Sequence, residues 1–194
     1  MKIFLASASP RRKALLEQIG LDFAVSESDF AEFPPGAFAP EELVRKNAAG
    51  KAAGAKLGKG APVLAADTVV TLDGAVLGKP GGKREAAAML KMISGRRHRV
   101  LTGVCLCVQE RAWEFVETTD VYMRELADEE IDAYAATGEP LDKAGAYAIQ
   151  GMGALFVTRV EGCYFNVVGL PLAGLFNLLK EAGIAFEYKK TAAR

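Results

Sequence analysis

Residues 1–20, MKIFLASASPRRKALLEQIG, pose the question that decides the fold. Residues 2–6 read as a strand, and Leu15, Leu16 and Ile19 recur at helical spacing. Ser9 fits the helix N-cap, Pro10 its first turn and Gly20 its stop. The chain thus opens strand, loop, helix. Arg11 and Arg12 sit badly in that first turn, where aligned peptide dipoles leave partial positive charge. Two cations there cost about 0.3–1 kcal/mol each, and something negative is expected to answer them.

The same alternation continues. A short strand is expected at 23–26, then a Pro/Gly-rich loop, DFAEFPPGAFAPEE (29–42). PEELVRKNAAGKAAGAKLG (40–58) reads as a helix closing at Gly58, and PVLAADTVVTLDGAVLG (62–78) as two strands joined at Asp73-Gly74. GKPGGK (78–83) leads into a helix at 84–94. Two long β-rich runs at 98–110 and 113–126 suggest an antiparallel pair, followed by a helix at 128–136. Residues 144–162 read as strand, glycine loop and strand; 170–184 form the last helix, and 188–194 a frayed polar end. With no repeat and no linker-like shift, residues 1–194 are expected to form one α/β domain around a mixed sheet.

Composition bounds the function. The chain has 194 residues, 51% hydrophobic and 25% charged, as in soluble globular proteins. Lys+Arg and Asp+Glu are both 24, which argues against a protein built to coat nucleic acid or an anionic membrane. No apolar run is long enough to span a bilayer, and IFLAS is too short for a signal peptide, so a cytoplasmic location is expected. Cys105, Cys107 and Cys163 make an odd count without CxxC, which suggests neither a zinc knuckle nor a disulfide framework; buried, unreactive thiols are expected. His98 is the only histidine, which removes multi-imidazole zinc sites and disfavours a Ser-His-Asp triad. Within SGRRHRV it is expected at the surface.

Chemistry must therefore run on carboxylates, lysines, arginines and hydroxyls. Ser7 and Ser9, a helix N-terminus, Arg11 and Arg12 converge on one loop suited to phosphate; a cap with two solvated arginines is the alternative. Asp67 interrupts a strand that is apolar on both faces apart from itself and Thr68. It needs a cation, a metal or a cleft, and a buried ion pair with one of the lysines is the competing explanation. Lys79 follows a strand in a turn that is no Walker loop, and Lys51 lies on an Ala/Gly-rich helix; each is weak alone. Glu32 could be a second metal-binding carboxylate. Gln150, ahead of two loop glycines, could direct its amide into a cleft, where it would match the O4 acceptor and N3–H donor of uracil or thymine. GMG at 151–153 lacks the third glycine of a dinucleotide fingerprint, Phe156 standing in its place.

Taken together, LASASPRR, AADTVV, LGKP, LDKAGAYAIQG and NVVGLPL resemble the Maf family of nucleoside triphosphate pyrophosphatases, also known as septum-formation inhibitors. The resemblance implies an α/β domain with an elongated mixed sheet flanked by helices, related to inosine triphosphate pyrophosphatases and often homodimeric. It implies hydrolysis of a nucleoside triphosphate to monophosphate and pyrophosphate with Mg²⁺ or Mn²⁺. Asp67 falls on the catalytic proton-acceptor position; Ser7, Arg11, Arg12, Glu32, Lys51 and Lys79 fall on positions lining the phosphate and metal site, Glu32 and Asp67 toward the metal. Arg12, Thr68 and Gln150 match the dTTP/UTP branch rather than the 7-methyl-GTP branch. The rival readings are a non-catalytic nucleotide-sensing regulator of septum formation and a nucleic-acid module using Arg96, Arg97 and Arg99. The latter lacks interleaved aromatics.

Overall fold

The strand that is apolar on both faces becomes β3 (Val63–Leu72), the strand around which the rest is built. In the computed structural model, which describes residues 2–57 and 60–188, a seven-stranded mixed sheet runs β2-β1-β3-β5-β6-β7, with β4 beside β3. β1 (Ile3–Leu5) pairs in parallel with β2 (Phe23–Val25) and with β3. Parallel neighbours need crossover helices: α1 (Pro10–Gln18) links β1 to β2, and α2 (Pro40–Ala53) links β2 to β3. β3 turns at Asp73 (φ 51°) and Gly74 (φ 83°) into antiparallel β4 (Ala75–Leu77), two left-handed residues in a row as a tight hairpin requires. β5 (Arg97–Val108), β6 (Arg111–Met123) and β7 (Val157–Glu161) extend the sheet antiparallel.

Alternation along β3 divides the core. Val63, Ala65 and Val69 face α2, whose Val44, Ala48 and Ala52 cover them. Leu64 and Ala66 face α1 and α6 (Leu172–Glu181) through Leu15, Leu16, Leu175 and Leu179. Further along that second face, Val70 and Leu72 meet α3 (Lys83–Ile93) and α4 (Asp128–Ala136). Asp67 belongs to the first face and Thr68 to the second, as the alternation predicts.

Glycine sets how closely α2 approaches the sheet. A β-carbon on Gly103, which pairs with Asp67 across β3 and β5, would lie 2.4 Å from the Val44 carbonyl oxygen. One on Gly50 would lie 2.3 Å from the Phe30 ring, so the loop carrying Glu32 lies directly on α2.

Four expectations need correction. Residues 144–156 form no strand: they are a run of short turns in which Gly145 (φ 70°) and Ala146 (φ 59°) are both left-handed. Their N–H groups are met by turn carbonyls and by side chains instead of a ladder. The Ala148 N–H donates to Tyr134 Oη (3.1 Å), and those of Met152 and Gly153 donate to Glu139 (3.1 Å each). α2 stops at Ala53, where the Gly54 N–H caps back onto Gly50; Gly58 lies outside the described residues, as do 189–194 of the polar end. His98 is buried in β5, with Nε2 2.9 Å from Tyr147 Oη, because the strand turns Arg97 and Arg99 outward and His98 inward. Of the thiols only Cys105 is fully buried; Cys107 and Cys163 are half-buried. A short helix not anticipated in NVVGLPL, α5 (Tyr164–Val168), precedes α6.

Candidate active site

The parallel strands β1 and β3 set the site. β1 ends at Leu5, level with Leu64, and β3 continues past it. The chain leaving β1 therefore passes beside Asp67 and Thr68. α1 and α2 lie on opposite faces of the sheet, so the carboxyl ends of β1 and β2 open between them, where α/β sheets bind ligands.

On the α2 face Asp67 is buried and both its oxygens are held. Lys51 Nζ donates to Oδ1 at 2.6 Å and Asn47 Nδ2 to Oδ2 at 3.0 Å. Lys51 also reaches Glu32 Oε1 at 2.8 Å, so one ammonium bridges a buried and a half-exposed carboxylate. Asn47 accepts from the Phe33 N–H (2.9 Å), fastening the Glu32 loop to α2. The ion pair weighed from the sequence thus exists, and it lies inside the cluster of candidate residues.

On the other face Arg12 is buried, and each of its three nitrogens donates one hydrogen bond, which leaves two N–H donors for a ligand. Nε donates to the Gly169 carbonyl (2.9 Å), one terminal nitrogen to Ser7 Oγ (3.1 Å) and the other to Thr68 Oγ1 (3.0 Å). Burial pulls its pKa below the ordinary arginine value, an effect that the nearby charge of Asp67 opposes. Thr68 Oγ1 lies 2.9 Å from Thr102 Oγ1, and Thr102 donates to the Asn166 carbonyl (3.2 Å). Arg12 is therefore a fixed wall rather than a solvated cap residue. Ser9 holds the N-cap position but makes no side-chain capping bond; its N–H donates to Ser7 Oγ at 3.3 Å.

A rim closes around these two clusters. Arg11 reaches Asp142 Oδ2 at 3.4 Å, tying the start of α1 to the turn at 139–142. The Gly145 N–H donates to the Gly78 carbonyl (3.1 Å), which joins that region to the end of β4 and to exposed Lys79. A β-carbon on Gly78 would touch Pro35 at 3.7 Å, so the Glu32 loop completes the circuit. Gln150 is exposed and makes no hydrogen bond among the described residues. Its neighbour Ile149 packs in the clusters containing Ala66 and Val70, putting this loop over Thr68's face of β3.

Sequence reasoning missed Asn47 and Asn166. Val44, Asn47, Ala48, Lys51 and Ala52 share one helical stripe, so two polar residues within a stripe of small apolar ones were the available signal. Asn166 is fully buried and donates to the Val100 carbonyl and Thr119 Oγ1 (2.9 Å each). Arg96 pairs with Asp73, Arg97 and Arg99 share Asp120, and the latter two lie in β5 rather than in a turn.

For a divalent cation, Glu32 and Asp67 already converge on one positive charge, that of Lys51. Two carboxylates, with the remainder supplied by phosphate and water, form the donor set Mg²⁺ and Mn²⁺ accept. Among the described residues no group of three or more His, Cys, Asp or Glu gathers as a metal cage, and no helix is long and apolar enough to cross a membrane.

Known proteins resemble the chain along most of its length. A protein described as "dTTP/UTP pyrophosphatase" from Carboxydothermus hydrogenoformans is 50% identical, covering 94% of this chain and 100% of its own. Relatives of the same description from Pelotomaculum thermopropionicum (48%; 94% and 97% covered) and Methanosarcina mazei (49%; 95% and 95%) match similarly. Among solved structures, the Staphylococcus aureus Ham1 protein shares the fold at 15% identity and TM-score 0.54, covering 94% of this chain and 100% of that one. A HAM1 protein from Coxiella burnetii does so at 16% and 0.51, covering 93% and 99%. The model of the family described as "Maf-like protein" matches residues 2–182, and the chain belongs to the Maf family.

Proposed function

We propose that the protein hydrolyses dTTP and UTP to the monophosphate and pyrophosphate, with Asp67 as general base. The observation that carries this reading is a buried carboxylate held by Lys51 and Asn47, inside a rim of cations that includes Arg11 and Lys79. Relatives near 50% identity bear the matching description.

Attack at the α-phosphorus needs an oriented, deprotonated water and neutralisation of charge on the phosphoryl oxygens. An arriving triphosphate competes with Asp67 and Glu32 for the Lys51 ammonium. Released from Lys51, Asp67 Oδ1 accepts the proton of the attacking water while Asn47 keeps the carboxylate aimed. Arg12 is pre-positioned by Ser7, Thr68 and the Gly169 carbonyl, so it meets developing charge without reorganising. Ser7 and Ser9 add hydroxyl donors, and Arg11 and Lys79 bind the departing phosphates. Glu32 and Asp67 would hold a divalent ion, which when bound neutralises phosphate charge and acidifies a water. Arg12, Thr68 and Gln150 set substrate choice, Gln150 pairing with the O4 and N3–H edge shared by uracil and thymine. A homodimer belongs to the same reading: among the described residues, 111–117 of β6 have a strand partner only on the β5 side, leaving an edge for a second copy.

Pyrophosphate release from dTTP, UTP, CTP, GTP and 7-methyl-GTP, with Mg²⁺ or Mn²⁺ and with chelator, tests the proposal. Metal-dependent cleavage of dTTP and UTP is expected, with Gln150→Ala narrowing the gap between these and the other nucleotides. Tight binding with no cleavage of any nucleotide would instead support the nucleotide-sensing regulator.

A further inference from the structure

The rim contains one cation that the family resemblance does not assign. Lys143 follows the turn that carries Asp142, and its side chain is 15% exposed, close to the 12% of Lys51 and unlike a solvated surface lysine. Its ammonium contacts Asp142 Oδ1 and donates to the Glu139 carbonyl at 3.4 Å. The other oxygen of Asp142 holds Arg11 at 3.4 Å. A single carboxylate, 63% exposed, thus holds two cations, one from α1 and one from its own turn. Two residues beyond Lys143, the Gly145 N–H is fixed to the Gly78 carbonyl, next to Lys79. Lys143 therefore lies between Arg11 and the Lys79 turn along the rim. The backbone is constrained there: Gly145 and Ala146 are left-handed, and a β-carbon on Gly145 would meet Val70 at 2.9 Å. Left-handed conformation at a non-glycine residue costs energy and tends to be kept at functional sites.

We propose that Lys143 is a further substrate-binding residue, contacting the β- or γ-phosphate beside Arg11, and that Asp142 is its internal stand-in for that phosphate. In the empty protein Asp142 holds both cations in place. The polyphosphate, which carries more charge and more acceptor oxygens, displaces the carboxylate into solvent and takes both donors. No bond is made or broken in this exchange. The inference deepens the proposed function and rests on the same cleft being the triphosphate site.

The two residues predict effects of opposite sign. Binding of inorganic tripolyphosphate, measured calorimetrically, reads the clamp without depending on turnover. Lys143→Met is expected to weaken it about ten- to a hundredfold, the worth of one charge-assisted hydrogen bond, and Lys143→Arg to recover part of the loss. Asp142→Asn, at an exposed position where folding is safe, is expected to tighten binding about two- to fivefold, because the competing anion is gone. With dTTP, Lys143→Met should raise KM far more than it lowers kcat. Tripolyphosphate affinity within twofold of wild type in a folded Lys143→Met, or weaker binding in Asp142→Asn, overturns the proposal. Wild-type protein that binds tripolyphosphate as predicted but cleaves no nucleotide contradicts the proposed reaction and leaves the clamp standing.

Discussion

Gly103→Ala tests whether the contact of α2 with the sheet also sets the site. The added β-carbon would lie 2.4 Å from the Val44 carbonyl oxygen, 2.5 Å from its carbon and 2.8 Å from the Arg45 nitrogen. Ordinary contact begins at 3.4 Å, so α2 must withdraw by about 1 Å. The obstacle is helix backbone, which cannot rotate aside as a side-chain end can. Overpacking of this kind costs about 1–3 kcal/mol. α2 also carries Asn47 and Lys51, one and two turns beyond Val44, and Gly103 pairs directly with Asp67. Moving the helix therefore lengthens the 2.6 Å and 3.0 Å bonds that hold the carboxylate. A misplacement near 1 Å costs about 100-fold in rate. Stability to urea and pyrophosphate release from dTTP should thus fall together, while Gly82→Ala, whose β-carbon meets nothing within 4 Å, should cost about 1 kcal/mol at most as a change of the α3 N-cap and leave the rate unchanged. Wild-type stability and rate in Gly103→Ala would refute the argument that this approach is tight and that it positions Asp67.

Two further outcomes follow from buried polar groups. Burial holds the His98 pKa down to about 4, so the unfolded chain binds the extra proton first; the associated stability is complete above pH 6.5 and lost as pH falls toward 4, about 3 kcal/mol in all. His98→Gln keeps a partner for Tyr147 and should flatten that part of the pH–stability curve in urea titrations at pH 7, 5.5 and 4. Glu139→Ala removes the acceptor of the part-buried Tyr134 hydroxyl and Gly153 N–H, costing about 1–3 kcal/mol by thermal or urea unfolding, and leaves the exposed Met152 N–H to water. It should also loosen the Gln150 loop, so the preference for dTTP and UTP over CTP should shrink in the same variant.

Much of this architecture was legible because period and punctuation agreed. Strand β3 announced itself as apolar on both faces, its hairpin by Asp73-Gly74, and α4 by acids at its start. Asp67 stood out because nothing else on its strand face was charged. Residues 144–156 were illegible for a physical reason. Their first half, 145–148, is buried like a strand, yet the N–H groups of Ala148, Met152 and Gly153 are met by Tyr134 and Glu139 and that of Gly145 by the Gly78 carbonyl, and no local pattern encodes partners supplied from another element. His98 was legible in principle, since it alternates in phase with Val100, Thr102 and Val104, but its flanking arginines suggested a surface. The pairing of Arg12 with Thr68 and the Gly169 carbonyl joins residues far apart in sequence, which spacing alone cannot convey.

The account stands most directly on Asp67. The decisive measurement is single-turnover pyrophosphate release from dTTP by wild type and Asp67→Asn, with nucleotide affinity measured alongside. The substitution keeps the side chain's shape and removes its basicity. A rate reduced by about 100-fold or more, with dTTP still bound within about tenfold of wild-type affinity, is the predicted result. Cleavage by Asp67→Asn at the wild-type rate would contradict the assignment and require another group to accept the proton of water.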